Sequence, residues 1–273
     1  MKDKISLAGD LGSGKSTVSD IIVPALDARY YSTGSIVRKI AAERGMTIAE
    51  LNVYMETHPE IDKEVDDGLA ALSELDELLV IDSRMAWHFT KGTFKVYLST
   101  DIETSALRIM YAKRAGERSG SLEEAIAQTR ARRESEKKRY SEQYGVNVKD
   151  LSNYSLVVDT TYATPAEVAD AVLSGFASWQ ADKSFSLALV SPERLNYPDF
   201  EPDAELLSEY SEALEQGGEI PLVEVRECDG EFFVVRGLEA ALAASLSMST
   251  FVRCSLVKDE LPGCEFIKMK NSL

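Results

Sequence analysis

A chain of 273 residues has room for two domains of ordinary size, and 44% hydrophobic with 28% charged residues is the balance of a folded globular protein. Its 46 acidic against 30 basic residues give a net charge of −16, which opposes an extended nucleic-acid surface, since phosphate backbones are held by clustered Lys and Arg. No apolar run approaches the roughly 18 residues of a membrane span, and Cys228, Cys254 and Cys264 lack paired or metal-like spacing, so a cytoplasmic protein with reduced thiols is expected.

Met1-Lys2-Asp3-Lys4 carries no secretory pattern and leads directly into Lys4-Ile5-Ser6-Leu7-Ala8, which reads as a buried strand. The next stretch, Gly9-Asp10-Leu11-Gly12-Ser13-Gly14-Lys15-Ser16-Thr17, fits G-x-x-x-x-G-K-[ST], and Thr17 to Ile22 begins a helix. Strand, glycine loop and helix in that order make a phosphate cradle. Glycines let backbone N–H groups turn inward, and the helix N-terminus adds positive potential. Gly9, Gly12, Ser13, Gly14, Lys15, Ser16 and Thr17 are therefore assigned to ATP. Lys15 would reach the β- and γ-phosphates, and the Ser16 hydroxyl would ligate Mg²⁺.

Ala28 to Tyr31 reads as a second strand, followed by a helix over Ile36–Gly45 and two further helices, one from Thr47 and one over Ile61–Leu75. Glu77 to Arg84 holds a continuous apolar run ending in Asp82-Ser83-Arg84, as in a central parallel strand with functional groups at its C-terminal edge. Asp82 there could hold Mg²⁺-bound water or cap a helix. A strand at Thr93–Leu98 precedes a helix over Asp101–Ala115 that carries Arg108 and Arg114. A long charged helix spans Leu122–Tyr144, and Tyr154–Thr160 is a strand before a helix opening at Thr164-Pro165. The alternation predicts an α/β fold of the P-loop type, a parallel sheet flanked by helices. On the long helix Arg132, Glu136, Arg139 and Gln143 share one face, which serves equally as a salt-bridged solvent face or as a set of phosphate-binding cations.

The grammar changes near Asp182. Residues 1–182 hold 22 basic and 29 acidic residues (net −7), and 183–273 hold 8 and 17 (net −9), so neither half looks like a DNA-binding tail. Strands are expected at Ser186–Val190, Pro221–Arg226 and Glu231–Val235, the last two a hairpin turning at Cys228-Asp229-Gly230, with helices at Asp203–Gln216 and Leu238–Leu246. Residues 183–273 therefore read as a second, smaller α+β domain.

The first 175 or so positions resemble cytidylate kinases of the shorter, archaeal type. The resemblance rests on the loop Gly12–Thr17, Ser32-Thr33-Gly34-Ser35-Ile36-Val37-Arg38, Asp82-Ser83-Arg84-Met85-Ala86-Trp87, Arg132 to Tyr140, and Tyr144-Gly145 leading to Tyr154–Thr160. It implies that Thr33, Arg38 and Arg84 bind a nucleoside monophosphate, that Arg132 and Arg139 are lid arginines acting with Lys15 on the transferring phosphoryl group, and that Arg114 lies against ATP. Ser35 and Ser83 depart from the family's usual residues at the acceptor site. The expected reaction is Mg²⁺-dependent transfer from ATP to CMP or dCMP. A kinase for another small acceptor, or a non-catalytic ATP sensor read out by the second domain, are the competing readings.

Residues from about 185 to 260 resemble the ParB/sulfiredoxin-like domain through Pro192-Glu193-Arg194-Leu195, Ile220–Val225 and Gly230–Gly237. The basic residues by which that family binds phosphate are missing from Gly237-Leu238-Glu239-Ala240-Ala241-Leu242. That leaves a regulatory, dimerising or protein-binding module as the expectation.

Overall fold

Hydrophobic burial dictates where the sheet begins. A computed structural model describes residues 2–112 and 120–268, and its first strand, β1 (Lys4–Gly9), is buried at every position. The chain then runs through α1 (Lys15–Ala25), β2 (Arg29–Ser32), α2 (Thr33–Glu43), α3 (Ile48–Met55), α4 (Pro59–Ala71), β3 (Leu79–Asp82) and α5 (Ala86–Phe89). It continues with β4 (Thr93–Ser99), α6 (Ile102–Tyr111), α7 (Leu122–Tyr144), β5 (Leu156–Asp159) and α8 (Pro165–Ala181). These strands pair in the order β2-β3-β1-β4-β5, all parallel. Strands buried on both faces need apolar side chains throughout, and Leu79-Val80-Ile81 and Leu156-Val157-Val158 supply them.

Helix ends follow local rules. Thr164 and Glu167 form a reciprocal capping box ahead of Pro165. Ser121 caps α7, which stops at Gly145 in a left-handed conformation. One apolar core joins α1 and α8 to the sheet through Ile22, Phe94, Leu98, Val172 and Phe176. A smaller one, built on Leu51, Met55 and Ile61, holds α2, α3 and α4 together.

Beyond α8 come β6 (Leu187–Val190), β7 (Leu195–Pro198), α9 (Ala204–Glu215), β8 (Val223–Cys228), β9 (Glu231–Arg236), α10 (Leu238–Leu246), β10 (Val252–Leu256) and β11 (Phe266–Ile267). The content is α+β as expected, but these strands extend the first sheet instead of building a separate one. β6 pairs parallel with β5, and the order continues β10-β8-β9-β7-β11, giving 11 strands in one sheet among the described residues. The β8–β9 hairpin closes through Asp229-Gly230, both at positive φ (52° and 88°), the two-residue turn whose twist suits adjacent antiparallel strands. The core on the opposite sheet face is likewise shared. Trp87, Tyr97, Tyr154 and Val157 from the first half pack in one cluster with Val190, Tyr197, Val223 and Phe232 from the second.

A chain cut after Asp182 loses the β6 partner of β5 and uncovers that shared face. The truncated protein is expected to precipitate, or to melt well below the full chain. Two proteins with melting temperatures within about 2 °C of one another would show that the shared core contributes nothing.

Candidate functional site

The loop between β1 and α1 is built by close approach of backbone. Gly9 has φ +148°, and a Cβ there would lie 2.3 Å from the Leu98 carbonyl oxygen. One at Gly12 would lie 2.6 Å from that of Ser105. Only glycine allows the loop to lie this close to β4 and α6. Lys15, in the first turn of α1, donates through Nζ to the carbonyl oxygens of Gly9 (3.1 Å) and Asp10 (2.8 Å) and to Ser13 Oγ (3.4 Å). Burial, reinforced by the nearby Arg84 guanidinium, lowers its pKa to about 8 against the pull of Asp82, Asp10 and Glu136. Arg108 on α6 donates to the Thr160 hydroxyl (3.1 Å) and carbonyl (2.6 Å), tying this flank of the loop to the end of β5. Arg114 lies outside the described residues.

The side chains assigned to the acceptor and the two lid arginines converge. Thr33, Arg38, Arg84, Arg132 and Arg139 line one cavity of about 100 Å³ beside Asp82. Thr33 is buried at the start of α2 and donates to the Asp82 carbonyl oxygen (3.4 Å). Arg38, one turn on, lays its guanidinium over Gly34, with Nη1 3.4 Å from where a Cβ would sit. Glu136 settles the ambiguity of the α7 face. Buried on α7, it accepts from Arg84 Nε and, at 3.3 Å, from Arg132 Nε. Burial opposes its charge, yet Arg84, Arg132 and Arg139 together hold its carboxyl below the ordinary range. Arg139, also buried, pairs with Asp62 of α4 (3.2 Å). This face is packed inward against a cavity and is not a solvated stripe.

Three features escape sequence reasoning. Tyr30 donates to Asp82 Oδ2 (3.0 Å) and lies within hydrogen-bonding reach of Ser16, so it links the two oxygen ligands expected for a metal. Asp62 and Asp66 of α4 face the acceptor cavity. Asp10 is buried and collects Tyr97 Oη (3.0 Å), Thr100 N (3.1 Å), Lys149 Nζ and, at 3.7 Å, Arg133. Glu136, by contrast, is visible in the sequence through its spacing from Arg132. The others meet partners far away in sequence, where no periodicity reports them.

The donors near the loop fit a hard divalent cation. Ser16 and Asp82 offer oxygen only, the ligand type that Mg²⁺ takes from protein alongside water and phosphate oxygens. Among the described residues there is no group of three or more His, Cys, Asp or Glu able to hold a metal by themselves.

The chain is 37% identical over 175 residues to the cytidylate kinase of Thermoplasma volcanium, spanning 63% of this chain and 90% of that enzyme. The chain belongs to the cytidylate kinase family. The family's enzyme from Methanothrix thermoacetophila is 37% identical over 156 residues, covering 57% of this chain and 87% of its own. A family model described as an AAA domain matches residues 5–129. The S-adenosylmethionine-dependent nucleotide dehydratase of Lacinutrix mariniflava is 37% identical over 177 residues, and the match spans only 36% of that longer protein. These kinase matches take in about 60% of the chain, and the family model takes in the loop. They do not show the ParB/sulfiredoxin-like reading of the second half.

Two pH effects follow. Phosphate arriving at Lys15 favours its ammonium form, so ATP binding takes up a proton at and above pH 8. The dissociation constant for ATP is expected to rise as pH climbs from 7 to 9, and calorimetry in buffers of different ionisation enthalpy would read the uptake. Asp66 is the opposite kind of group. Burial first, then Asp62 and Asp67, pushes its carboxyl up to about 6, despite a hydrogen bond from Tyr144. A raised carboxylate pKa destabilises the fold above that pKa, and the penalty fades as pH falls toward the ordinary value. Asp66→Asn is therefore expected to raise the melting temperature at pH 7.5 and to lose that advantage near pH 4. An equal gain at both pH values would mean that ionisation of Asp66 is irrelevant.

Proposed function

We propose that the protein transfers the γ-phosphoryl group of ATP to a nucleoside monophosphate, with CMP or dCMP as the acceptor. The observation that carries this reading is the convergence of Arg84, Arg132 and Arg139 with Thr33 and Arg38 on one cavity next to Lys15. A sensor of bound ATP needs only the loop, whereas three arginines directed at a second site suit a second phosphate. The relatives named cytidylate kinase support CMP as that acceptor.

The chemistry is positioning and charge compensation. The loop amides and Lys15 hold the β- and γ-phosphates, and Arg84 holds the acceptor phosphate. An oxygen of that acceptor phosphate attacks the γ-phosphorus, the bond from phosphorus to the β,γ-bridging oxygen breaks, and ADP and the nucleoside diphosphate leave. Arg132 and Arg139 neutralise charge on the moving group. Glu136 fixes Arg84 and Arg132 in place before substrate arrives, so little reorganisation remains for the transition state. Ser16 and Asp82 would hold Mg²⁺, which supplies further neutralisation of the phosphate oxygens when bound. The same site must exclude water from the γ-phosphate, since otherwise ATP would be hydrolysed.

ADP formation from Mg·ATP across a panel of nucleoside monophosphates tests the reading. CMP or dCMP should be preferred, turnover should stop when EDTA removes the metal, and Lys15→Ala should abolish it. Arg84→Met should lower kcat/KM by about 10²–10³-fold, the scale of losing one preorganised charge contact. Preference for another monophosphate would change the substrate and leave the mechanism. ATP binding with no acceptor stimulating turnover would overturn the kinase reading.

A further inference from the structure

The outer flank of the phosphate loop opens onto a cavity that both halves of the chain line. Gly9, Asp10 and Leu11 form one wall of a cavity of about 490 Å³. Its opposite wall comes from the second half of the chain, with Arg194 before β7 and Glu227 and Asp229 at the β8–β9 turn. Between the walls stands Lys149, on the segment joining α7 to β5, whose Nζ is paired with Asp10. Its neighbours Val146 and Val148 pack on the apolar core that both halves build, and the Val148 carbonyl accepts from Tyr154 Oη (2.9 Å). Lys149 is therefore seated by residues of both halves.

The far wall is bolted to the kinase sheet. Arg194 donates through Nη2 to the Gly230 carbonyl (2.7 Å) and pairs through Nε with Asp159 (3.8 Å), the buried last residue of β5. Asp159 also accepts from Thr161 Oγ1 (2.6 Å) and from Ser191 N (3.3 Å). The turn at Asp229-Gly230, the start of β7 and the end of β5 thus form one bonded unit. Glu227 caps that turn by accepting from Gly230 N (2.6 Å), and it lies close enough to Lys149 to feel its charge.

We infer that residues 183–268 are a supporting wall of the phosphate-loop site, and that Lys149 is the positioning residue through which this wall fixes Asp10 and the loop. The arrangement explains an aspartate in the first variable position of the loop. A buried carboxylate there is tolerable only when donors and cations surround it, and Tyr97, Thr100 N and Lys149 donate to Asp10 while Arg133 adds its charge at 3.7 Å. With Asp10 held from one side and α6 packed against Gly12 on the other, the backbone of the loop is fixed from both flanks. Lys149 itself need not touch the nucleotide.

The inference rests on the loop being the ATP site, and its test uses ATP binding alone, so it stands apart from the identity of the acceptor. Mg·ATP is titrated by calorimetry into the full chain and into Lys149→Met, Lys149→Arg and Arg194→Met. Lys149→Met is expected to weaken ATP binding about tenfold, the scale of one lost charge-assisted hydrogen bond, and Lys149→Arg is expected to restore most of it. Arg194→Met, remote from the loop in sequence, should weaken binding in the same direction. Native affinity in both methionine variants would overturn the inference. So would weakened binding that tracks a fall in melting temperature and is not rescued by arginine at position 149. A native chain that binds no ATP would instead overturn the assignment of the loop.

Discussion

One buried carboxylate organises the region over the sheet. Glu136 lies between Arg84, at the end of β3, and Arg132 on its own helix, with Arg139 near enough to act on its charge. Without an anion among them the three guanidinium groups would repel one another and turn toward water. Apolar packing holds α7 at its C-terminal end, where Tyr140 and Tyr144 lie against the cluster of Leu69, Leu79 and Met85. Polar contacts dock the rest. These are Arg84–Glu136, Arg139–Asp62, Arg133–Asp10 and Ser135 with Glu56. Buried ion pairs add little net stability, because desolvation offsets attraction, but they fix which groups face which. That suits a surface whose task is to present cations at set positions.

The second constraint is the sheet. β5 is not an edge strand, because β6 continues it in parallel and β10 then reverses direction. An exposed edge of a parallel sheet is a hazard for association, and here the second half of the chain covers it. The aromatic residues Trp87, Tyr97 and Tyr154 lie on the face that the second half packs against, with ring centroids 4.9 Å apart for Tyr97 and Tyr154. Tyr97 also donates to Asp10. Apolar packing between the halves is therefore one side chain away from the phosphate loop.

Legibility in the sequence followed the range of the interaction. The loop was readable because its strand, glycines, lysine and helix are consecutive. Helix α10 begins and ends where the apolar run Leu238–Leu246 does, and α7 is bounded by Ser121 and Gly145 as local capping rules require. Arg132, Glu136 and Arg139 could be placed on one face from spacing, but spacing could not say whether that face met water or Asp62. The expected strands omit β7, β10 and β11, because Leu195-Asn196-Tyr197-Pro198 ends in proline, Val252-Arg253-Cys254-Ser255-Leu256 alternates over only five positions and Phe266-Ile267 is only two residues long. The continuity of the sheet was invisible for a related reason. Leu187 to Val190 looks the same whether it opens a new sheet or extends an old one, and only pairing with Leu156–Val158 decides.

These contacts change what the second half means. An accessory domain on a flexible linker can acquire a function without altering the enzyme that carries it. Here Arg194 closes on Asp159, the β8–β9 turn faces the loop across a cavity, and Tyr197 is buried at 1% exposure in a core that includes Trp87 and Tyr154. Any rearrangement of β7 or of that turn must either break the Arg194 pair, leaving a buried aspartate without its cation, or pull the end of β5 with it. The former is costly in a low-dielectric interior, and the latter moves Thr160, which Arg108 ties to the loop. The β8–β9 turn, the end of β5 and the phosphate loop are therefore linked by contacts present in the folded chain.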